Sequence, residues 1–319
     1  MTKFPIQYKN GNAKIVLESD GTRTTEWPDG EELNVKYPMN VDCKITNYCD
    51  LGDKYDDSGN LLTRSKTCEF CHEMSNNKGK HANLETLWDI WKDTLTGTEI
   101  ALGGGDAMSH PKFEWFLGKL KSVGVIANVT VNGYHIKRYA EFTKHLQKEN
   151  LIHGLGISYR GEKSLELLPE NIDYKNVVFH VIIGVNTYND CRAIIRWCQE
   201  REISPKILLL GYKQYGNGKA YFSIEVAKKL SDWGRHIYFL LAKEGLTVSF
   251  DNLALEQLSI KNILDKKTWD ELYQGKDGLA SLYVDGVEEK YAKSSTSPIK
   301  GDLKKLDIML DNVKNGRKL

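Results

Sequence analysis

From residue 40 onward, short runs in which apolar and polar positions alternate, or in which apolar residues follow one another, trade places with stretches of helical period. Before residue 40 the pattern is different. Ile6-Gln-Tyr-Lys, Lys14-Ile-Val-Leu-Glu and Thr22-Arg-Thr-Thr-Glu-Trp are separated by Asn10-Gly-Asn and Ser19-Asp-Gly. Asn-Gly and Asp-Gly favour tight hairpin turns, so residues 4–37 predict a β-hairpin or small meander. Pro28-Asp-Gly-Glu-Glu punctuates its exit.

The first strand of the main pattern is Val41 to Tyr48. Its parity puts Val41, Cys43 and Ile45 on one face and Asp42, Lys44 and Thr46 on the other. The apolar face belongs against helices, which makes Cys43 a core thiol. A helix follows over about Leu84 to Leu95, with Leu84, Leu87, Trp88, Ile90 and Trp91 as its apolar stripe and Asn83 as N-cap. Further strands are expected at Thr98–Leu102, Ala127–Asn132, Ile152–Tyr159, Val177–Val185, Lys206–Tyr212 and Leu246–Phe250. Helices fall between them at Pro111–Ser122, Ile136–Lys148, Glu162–Leu168, Asn189–Glu202 and Ser223–Glu244, the last with a break at Gly234.

Near-continuous apolar strands alternating with helices argue for an α/β fold with a parallel sheet. Six or seven such units fall short of a closed eight-fold barrel. In the tail, Ala280–Val287 reads as a strand and turn, and Lys304–Leu319 as a charged terminal helix. The hydroxyl-rich stretch Tyr291–Ser297 is either a surface loop or a segment folded over the strand ends. The expected organisation is an N-terminal β-hairpin extension (1–39), a βα-repeat unit (40–260) and a C-terminal extension (261–319).

Composition narrows this picture. The chain has 319 residues and a net charge of +1, so it can bury a large core and carries no broad nucleic-acid footprint. Its six cysteines do not suit a disulfide scaffold at this length. No apolar run reaches transmembrane length and the N-terminus lacks a signal-peptide core, so the expectation is a cytoplasmic protein with no membrane partner.

The distinctive chemistry is Cys49-Asp-Leu-Gly, then a polar stretch, then Cys68-Glu-Phe-Cys71. Without Asp53–Thr67 the join would read C-x3-C-x2-C on a loop after a strand; as it stands, eighteen residues separate Cys49 and Cys68. The insertion contains the turn signal Asp56-Asp-Ser-Gly-Asn, and a longer loop costs little extra entropy. Three thiolates can hold three irons of a [4Fe–4S] cluster. The same residues also suit a four-cysteine zinc site with Cys43, or buried structural thiols. The motif resembles the cluster motif of the radical S-adenosylmethionine (SAM) superfamily, with an insertion in its first gap. The overall look is similar to radical SAM proteins of bacterial and phage genomes.

That resemblance implies a partial (β/α)6 barrel and a definite chemistry. Cys49, Cys68 and Cys71 would ligate the cluster, SAM would bind its open iron, and reductive cleavage would give a 5′-deoxyadenosyl radical that abstracts hydrogen. In such barrels the chemistry sits at the C-terminal ends of the strands. There the sequence offers Gly103-Gly104-Gly105-Asp106-Ala107, where the family has a Gly-Gly-Glu-Pro-like SAM-binding segment; Asp106 replaces Glu and Ala107 replaces Pro. Asn132, in Val-Asn-Gly, and Ser158 would reach the SAM ribose or carboxylate, or else serve a turn and packing. Ile183 and Gly184 lie where the family packs adenine. Phe70, between two cysteines, would shield the cluster.

Lys213 follows an apolar strand and is a candidate anchor for a substrate anion or the SAM carboxylate. Asp251, Asn252 and Glu256 are further substrate-contact candidates. His180, alone among apolar residues, reads first as a core histidine. Cys191 and Cys198 make no second cluster motif, so a single cluster is expected. The compact chain favours a small-molecule or nucleoside-like substrate over a peptide or protein side chain, with flavodoxin or ferredoxin as electron donor. The alternative outside enzymes is a zinc-stabilised α/β binding protein.

Overall fold

The computed structural model describes residues 4–273 and 275–317. The N-terminal runs form β1 (Ile6–Asn10), β2 (Ala13–Leu17) and β3 (Arg23–Glu26), an antiparallel sheet in that order. The expected hairpin is thus a three-stranded meander. β4 (Asn40–Thr46) leads into a short antiparallel pair, β5 (Lys54–Tyr55) and β6 (Leu61–Thr63), and then α1 (Leu84–Trp91). There follow β7 (Glu99–Gly104), α2 (Phe113–Ser122), β8 (Ile126–Asn132), α3 (Ala140–Lys148), β9 (Gly154–Ser158), α4 (Glu162–Leu165), β10 (Val177–Ile182) and α5 (Tyr188–Gln199). The chain continues through β11 (Lys206–Leu210), α6 (Asn217–Tyr221), α7 (Ile224–Leu241), β12 (Thr247–Phe250), α8 (Asn252–Gln257) and α9 (Lys266–Leu272). It closes with β13 (Ser281–Asp285), β14 (Lys290–Ala292), β15 (Gly301–Asp302) and α10 (Leu306–Lys314).

The main sheet has ten strands in the order β12-β11-β10-β9-β8-β7-β4-β13-β14-β15. From β4 to β12 the strands lie side by side in chain order and every pair is parallel. Parallel neighbours need a crossover each, and the helices supply it. The crossovers bury one face. Val41, Cys43 and Ile45 of β4 are at most 2% exposed and pack in one core with Leu84, Leu87 and Trp91 of α1. The parity read from the sequence therefore holds, and Cys43 lies in the helix-side core. Asn83 caps α1 as expected, its side chain accepting from the N–H groups of Glu85 at 3.0 Å and Thr86 at 3.2 Å.

The other, inner face is small or polar on β7 to β9, with Ala101, Gly103, Thr130, Gly154 and Ser158, carries Val178, Ile182, Leu208 and Leu210 on β10 and β11, and is only partly buried. Asp42 on this face is exposed to solvent, yet burial among protein atoms raises its pKa. Both hold at once if Asp42 lies at the bottom of a walled recess.

The N-terminal sheet seats against the N-terminal ends of the main strands. Arg23 on β3 pairs with Glu99 at the start of β7 at 2.9 Å. Lys206 at the start of β11 donates to the Asp20 carbonyl at 3.2 Å, and Asn176 just before β10 donates to the Ser19 carbonyl at 3.0 Å. The opposite ends of the strands are left free for other segments.

Two expectations change. The segment after residue 260 is not a mere extension: β13 pairs in parallel with the free side of β4, from Ser281↔Asn40 to Asp285↔Lys44. It makes an eighth parallel strand, and β14 and β15 continue the sheet antiparallel. α7 does not break at Gly234; it is continuous because Val226, Trp233, Ile237 and Leu240 anchor it on both sides of the glycine. Among the described residues no helix is long and apolar enough to cross a membrane.

Because Cys43 is a packed core thiol, Cys43→Ser should destabilise the fold by about 1–3 kcal/mol through an unpartnered buried hydroxyl, measured by denaturant unfolding, while the metal content of the protein stays that of the wild type.

Candidate functional site

The C-terminal ends of β4, β7, β8 and β9 bring sequence-distant segments to one place. Beyond β4, the Cys49 N–H donates to the Asn76 carbonyl at 2.9 Å, and the Asn47 N–H to the Lys80 carbonyl at 2.8 Å. The outgoing and returning arms of the cysteine loop are therefore bonded side by side. Between them the insertion folds as the β5–β6 hairpin, with its base closed. Asp53 accepts from the Ser65 N–H at 2.7 Å, the Ser65 hydroxyl donates to the Leu51 carbonyl, and Asn77 accepts from the Tyr55 N–H at 3.0 Å. This returns Cys68 to the neighbourhood of Cys49. The Cys71 N–H then donates to the Cys68 carbonyl at 2.9 Å, setting those two cysteines on one turn.

Cys49 and Cys68 are buried and Cys71 is half-buried. Burial pushes the Cys49 thiol up to about 11, against the pull of the Leu51 and Gly52 N–H groups on its sulfur. Burial raises Cys68 as well, opposed by the Arg160 charge and by Asn132, whose Nδ2 donates to Sγ at 3.8 Å. Cys49 and Cys68 are close enough to act on each other's charge, as are Cys68 and Cys71. N–H groups aimed at sulfur favour thiolate ligands and tune a cluster. The four-cysteine zinc arrangement does not form, because Cys43 points to the helix side. Cys191 and Cys198 are buried in α5.

The three glycines after β7 do different things. A Cβ at Gly104, where φ is +113°, would lie 2.2 Å from the Thr46 carbonyl oxygen, and one at Gly105 would lie 2.1 Å from that of Tyr48. These two let the cysteine loop press against β7, and the Gly105 N–H donates to the Thr46 carbonyl at 2.7 Å. A Cβ at Gly103 would meet nothing within 4 Å. Gly103 alone borders open space on the inner face. Asp106 is 3% exposed, and its carboxylate is taken up by the Tyr139 hydroxyl at 2.7 Å, by Arg138 and by His135.

The other expected residues separate into two groups. Asn132, Ser158 and His180 stand in register on β8, β9 and β10, all facing inward. Asn132 has its amide on Cys68 and its Oδ1 on the Tyr134 N–H at 3.0 Å. Phe70 is half-buried, under the Arg160 guanidinium at 4.8 Å and edge-on to Tyr221 at 5.5 Å. Lys213 donates to Ser295 at 3.0 Å, so the hydroxyl-rich C-terminal segment reaches the loop after β11. Ile183, by contrast, is fully buried in the helix-side core and offers a ligand no side-chain surface. Asp251 caps α8, accepting from the Ala254 N–H at 2.7 Å, and Asn252 bonds Asp277. Glu256 is exposed on α8.

His180 was first read as a core residue; it lies instead on the inner face, with its ring over Gly156, where a Cβ would come within 2.4 Å of it. Burial, and secondarily Arg160, lower its pKa to about 4, so it is neutral at pH 7.

Sequence reading missed the ionic network beneath the cysteines. Lys44 Nζ on β4 lies 2.8 Å from Glu73, two residues past Cys71, and 3.1 Å from Asp285 on β13. Glu73 also accepts from the Tyr283 hydroxyl at 3.3 Å and lies 3.2 Å from His72. Burial would lower the pKa of Lys44, but Glu73 and then Asp285 outweigh it and raise it. Burial would raise Glu73, but His72 and Lys44 hold it well below the usual carboxylate range. The signals available were the inward parity of Asp42 and Lys44 and the His72-Glu73 pair after the last cysteine. Nothing local marked Asp285 as their partner. Arg160 was legible only as the residue just past a strand end.

No protein-family model matches the chain, and no curated protein does. Its fold resembles that of SuiB. One crystal structure of Streptococcus suis SuiB superposes with a TM-score of 0.59 at 12% identity, covering 99% of this chain and 90% of SuiB. SuiB bound to S-adenosylmethionine gives 0.58 at 14% identity, covering 89% of this chain and 68% of SuiB. SuiB bound to the precursor peptide SuiA gives 0.54 at 14% identity over the same shares of the two chains. At this identity the likeness is one of fold.

Lys44→Met would leave Glu73 and Asp285 buried without their cation, and should cost about 3–5 kcal/mol in denaturant unfolding. His180 gives a pH signature. Its pKa is depressed from 6.5 to about 4 in the folded state, so the unfolded chain takes up the proton first and stability is lost as pH falls between those values. Over that window the wild type should lose about 2 kcal/mol more than His180→Gln, measured as urea unfolding at each pH.

Proposed function

We propose that this chain is a radical SAM enzyme whose sheet curves as a partial (β/α)6 barrel. Cys49, Cys68 and Cys71 would hold a [4Fe–4S] cluster, and SAM would lie between it and the inner face. The observation that carries this is the meeting of three thiols, N–H groups aimed at two of them, beside the open side of Gly103. The fold likeness to SuiB, a protein seen bound to S-adenosylmethionine, supports it. Cluster and SAM together would supply reductive cleavage of SAM and hydrogen-atom abstraction from a substrate.

The protein's own residues then have distinct tasks. Asn132 and the Leu51 and Gly52 N–H groups stabilise thiolate charge. Phe70, clasped by Arg160 and Tyr221, walls the cluster side from water. Gly103 leaves room for the methionine portion of SAM, and Ser158 presents a hydroxyl to its polar atoms. Ile183 contributes backbone only. Asp42, His180 and Lys213 line the recess in which a substrate would sit, Asp42 as a carboxyl whose pKa burial raises and His180 as a neutral donor or acceptor. A flavodoxin- or ferredoxin-like donor would deliver the electron.

For the substrate, the recess with Ser295 drawn across to Lys213 suits a small-molecule or nucleoside-like compound. The second reading is a peptide side chain reaching into the same recess. What favours it is the fold likeness to SuiB in complex with its precursor peptide.

Anaerobically reconstituted protein should carry about four irons per chain with a broad visible absorption. With dithionite and SAM it should form 5′-deoxyadenosine, and Cys68→Ala should abolish both. Zinc in place of iron, with SAM left intact, would sink the reading. Stimulation of 5′-deoxyadenosine formation by the dialysable fraction of a cell extract supports the small-molecule substrate. Stimulation confined to the retained, protease-sensitive fraction supports the peptide.

A further inference from the structure

The place of Asp106 in the glycine segment suggests a contact with SAM, but the structure gives its carboxylate other partners. Four side chains from three segments form a ring of contacts: Asp50, directly after Cys49; Asp106, after β7; and His135 and Arg138, after β8. The Arg138 guanidinium bonds both carboxylates, Asp50 through Nη1 and Asp106 through Nη2. His135 lies between the same two, Nε2 2.8 Å from Asp50 and Nδ1 3.3 Å from Asp106, with neither nitrogen in hydrogen-bonding geometry. The Tyr139 hydroxyl closes on Asp106 at 2.7 Å. Asp50, Asp106 and His135 also bring one ligand atom each within 4.8 Å of one another. No metal is needed there, because Arg138 already supplies the cation.

The ring's position gives it a function. The Asp106 backbone N–H donates to the Tyr48 carbonyl at 2.7 Å. Asp106 therefore holds the chain on both sides of Cys49: Tyr48 through the backbone, and Asp50 through the side-chain ring. The inner members of the ring are sealed, with side chains 2% exposed at Asp106 and 4% at His135, while Asp50 and Arg138 form its outer side. All of these contacts fall on Oδ2 of Asp106; Oδ1 takes none of them.

We propose that Asp106 is a positioning residue for the first cluster thiol: the Asp50–His135–Asp106–Arg138 ring, closed by Arg138 on both carboxylates, clamps Cys49 at the geometry the cluster needs. This rests on the radical SAM reading. It predicts that Asp50 and Asp106 act as one unit, although Asp50 lies outside the glycine segment.

The test uses the reconstituted full chain, wild type and Asp50→Asn, Asp106→Asn and the double variant. Iron content, iron loss to a chelator, the electron paramagnetic resonance spectrum of the reduced cluster without SAM, and SAM affinity are measured. The two single variants should each lose iron about 10-fold or more faster and show the same altered SAM-free spectrum. The double variant should add little to either, because both break one ring. In Asp50→Asn the SAM affinity of cluster that remains should stay within about threefold of wild type, well inside a tenfold change. Arg138→Lys should restore part of the retention that Arg138→Met loses. A large loss of SAM affinity in Asp106→Asn with unchanged spectrum and iron retention, and a silent Asp50→Asn, would overturn the proposal. Should Asp106→Asn fail to fold, Asp50→Asn and Tyr139→Phe decide: faster iron loss in both supports the clamp, and wild-type retention in both refutes it. A wild-type protein that takes up no iron defeats the radical SAM reading itself, and is seen before any variant is compared.

Discussion

Lys44 is the charge around which the inner face is assembled. It is 7% exposed, on a strand whose other face is wholly apolar, and it would be intolerable there alone. Glu73 and Asp285 make it tolerable, and each brings a different part of the chain with it. Glu73 carries the return arm of the cysteine loop down onto β4. Asp285 fixes the register of β13 on the free side of β4. Tyr283 and His72 complete the hydrogen bonds of Glu73. A buried ion pair is weak evidence of net stability, since an apolar pair of the same shape could do as well. Its value here is in specifying geometry: three segments meet only one way.

The same loop is held at its other end by a different device. Around Cys49 the contacts are the ring of Asp50, His135, Asp106 and Arg138, and the backbone bonds of Gly105 and Asp106 to the β4 exit. Charge thus grips the cysteine segment just after its first thiol and again after its last, while the β5–β6 hairpin hangs between, closed at its base by Asp53 and Ser65. That explains how eighteen residues can separate Cys49 from Cys68 without moving either. The loop's ends are fixed, so its middle is free to vary.

Much of this was legible in the sequence because it depends on local periodicity. The two-residue alternation of β4 put Cys43 on the helix side and Asp42 and Lys44 on the inner side, and Asn83 announced the start of α1 through side-chain chemistry alone. The βα order followed from apolar runs spaced by amphipathic ones. What was not legible is non-local. β13 joins β4 across more than two hundred residues, and no property of Ser281–Asp285 names its partner. Ile183 was placed by analogy at a ligand, but the strand's parity sends its side chain to the core. Gly234 looked like a helix break because propensity was weighed without the packing of Trp233 and Ile237, which overrides it. Asp106 stands out by its place after the glycines, but the partners of its Oδ2 are not legible there; they lie some thirty residues on, after β8.

The late arrival of β13 has a consequence for the order in which the molecule is made. A chain synthesised from its N-terminus exposes the three cysteines long before residue 285 leaves the ribosome. Until then β4 has a bare edge, and Lys44 and Glu73 lack the carboxylate and the phenol that complete their network. The arm that bears Cys71 is held on one side only during that interval. Translation itself therefore sets a clock: the nascent chain presents its thiols early, but the surroundings of the last one are finished only near the end of synthesis.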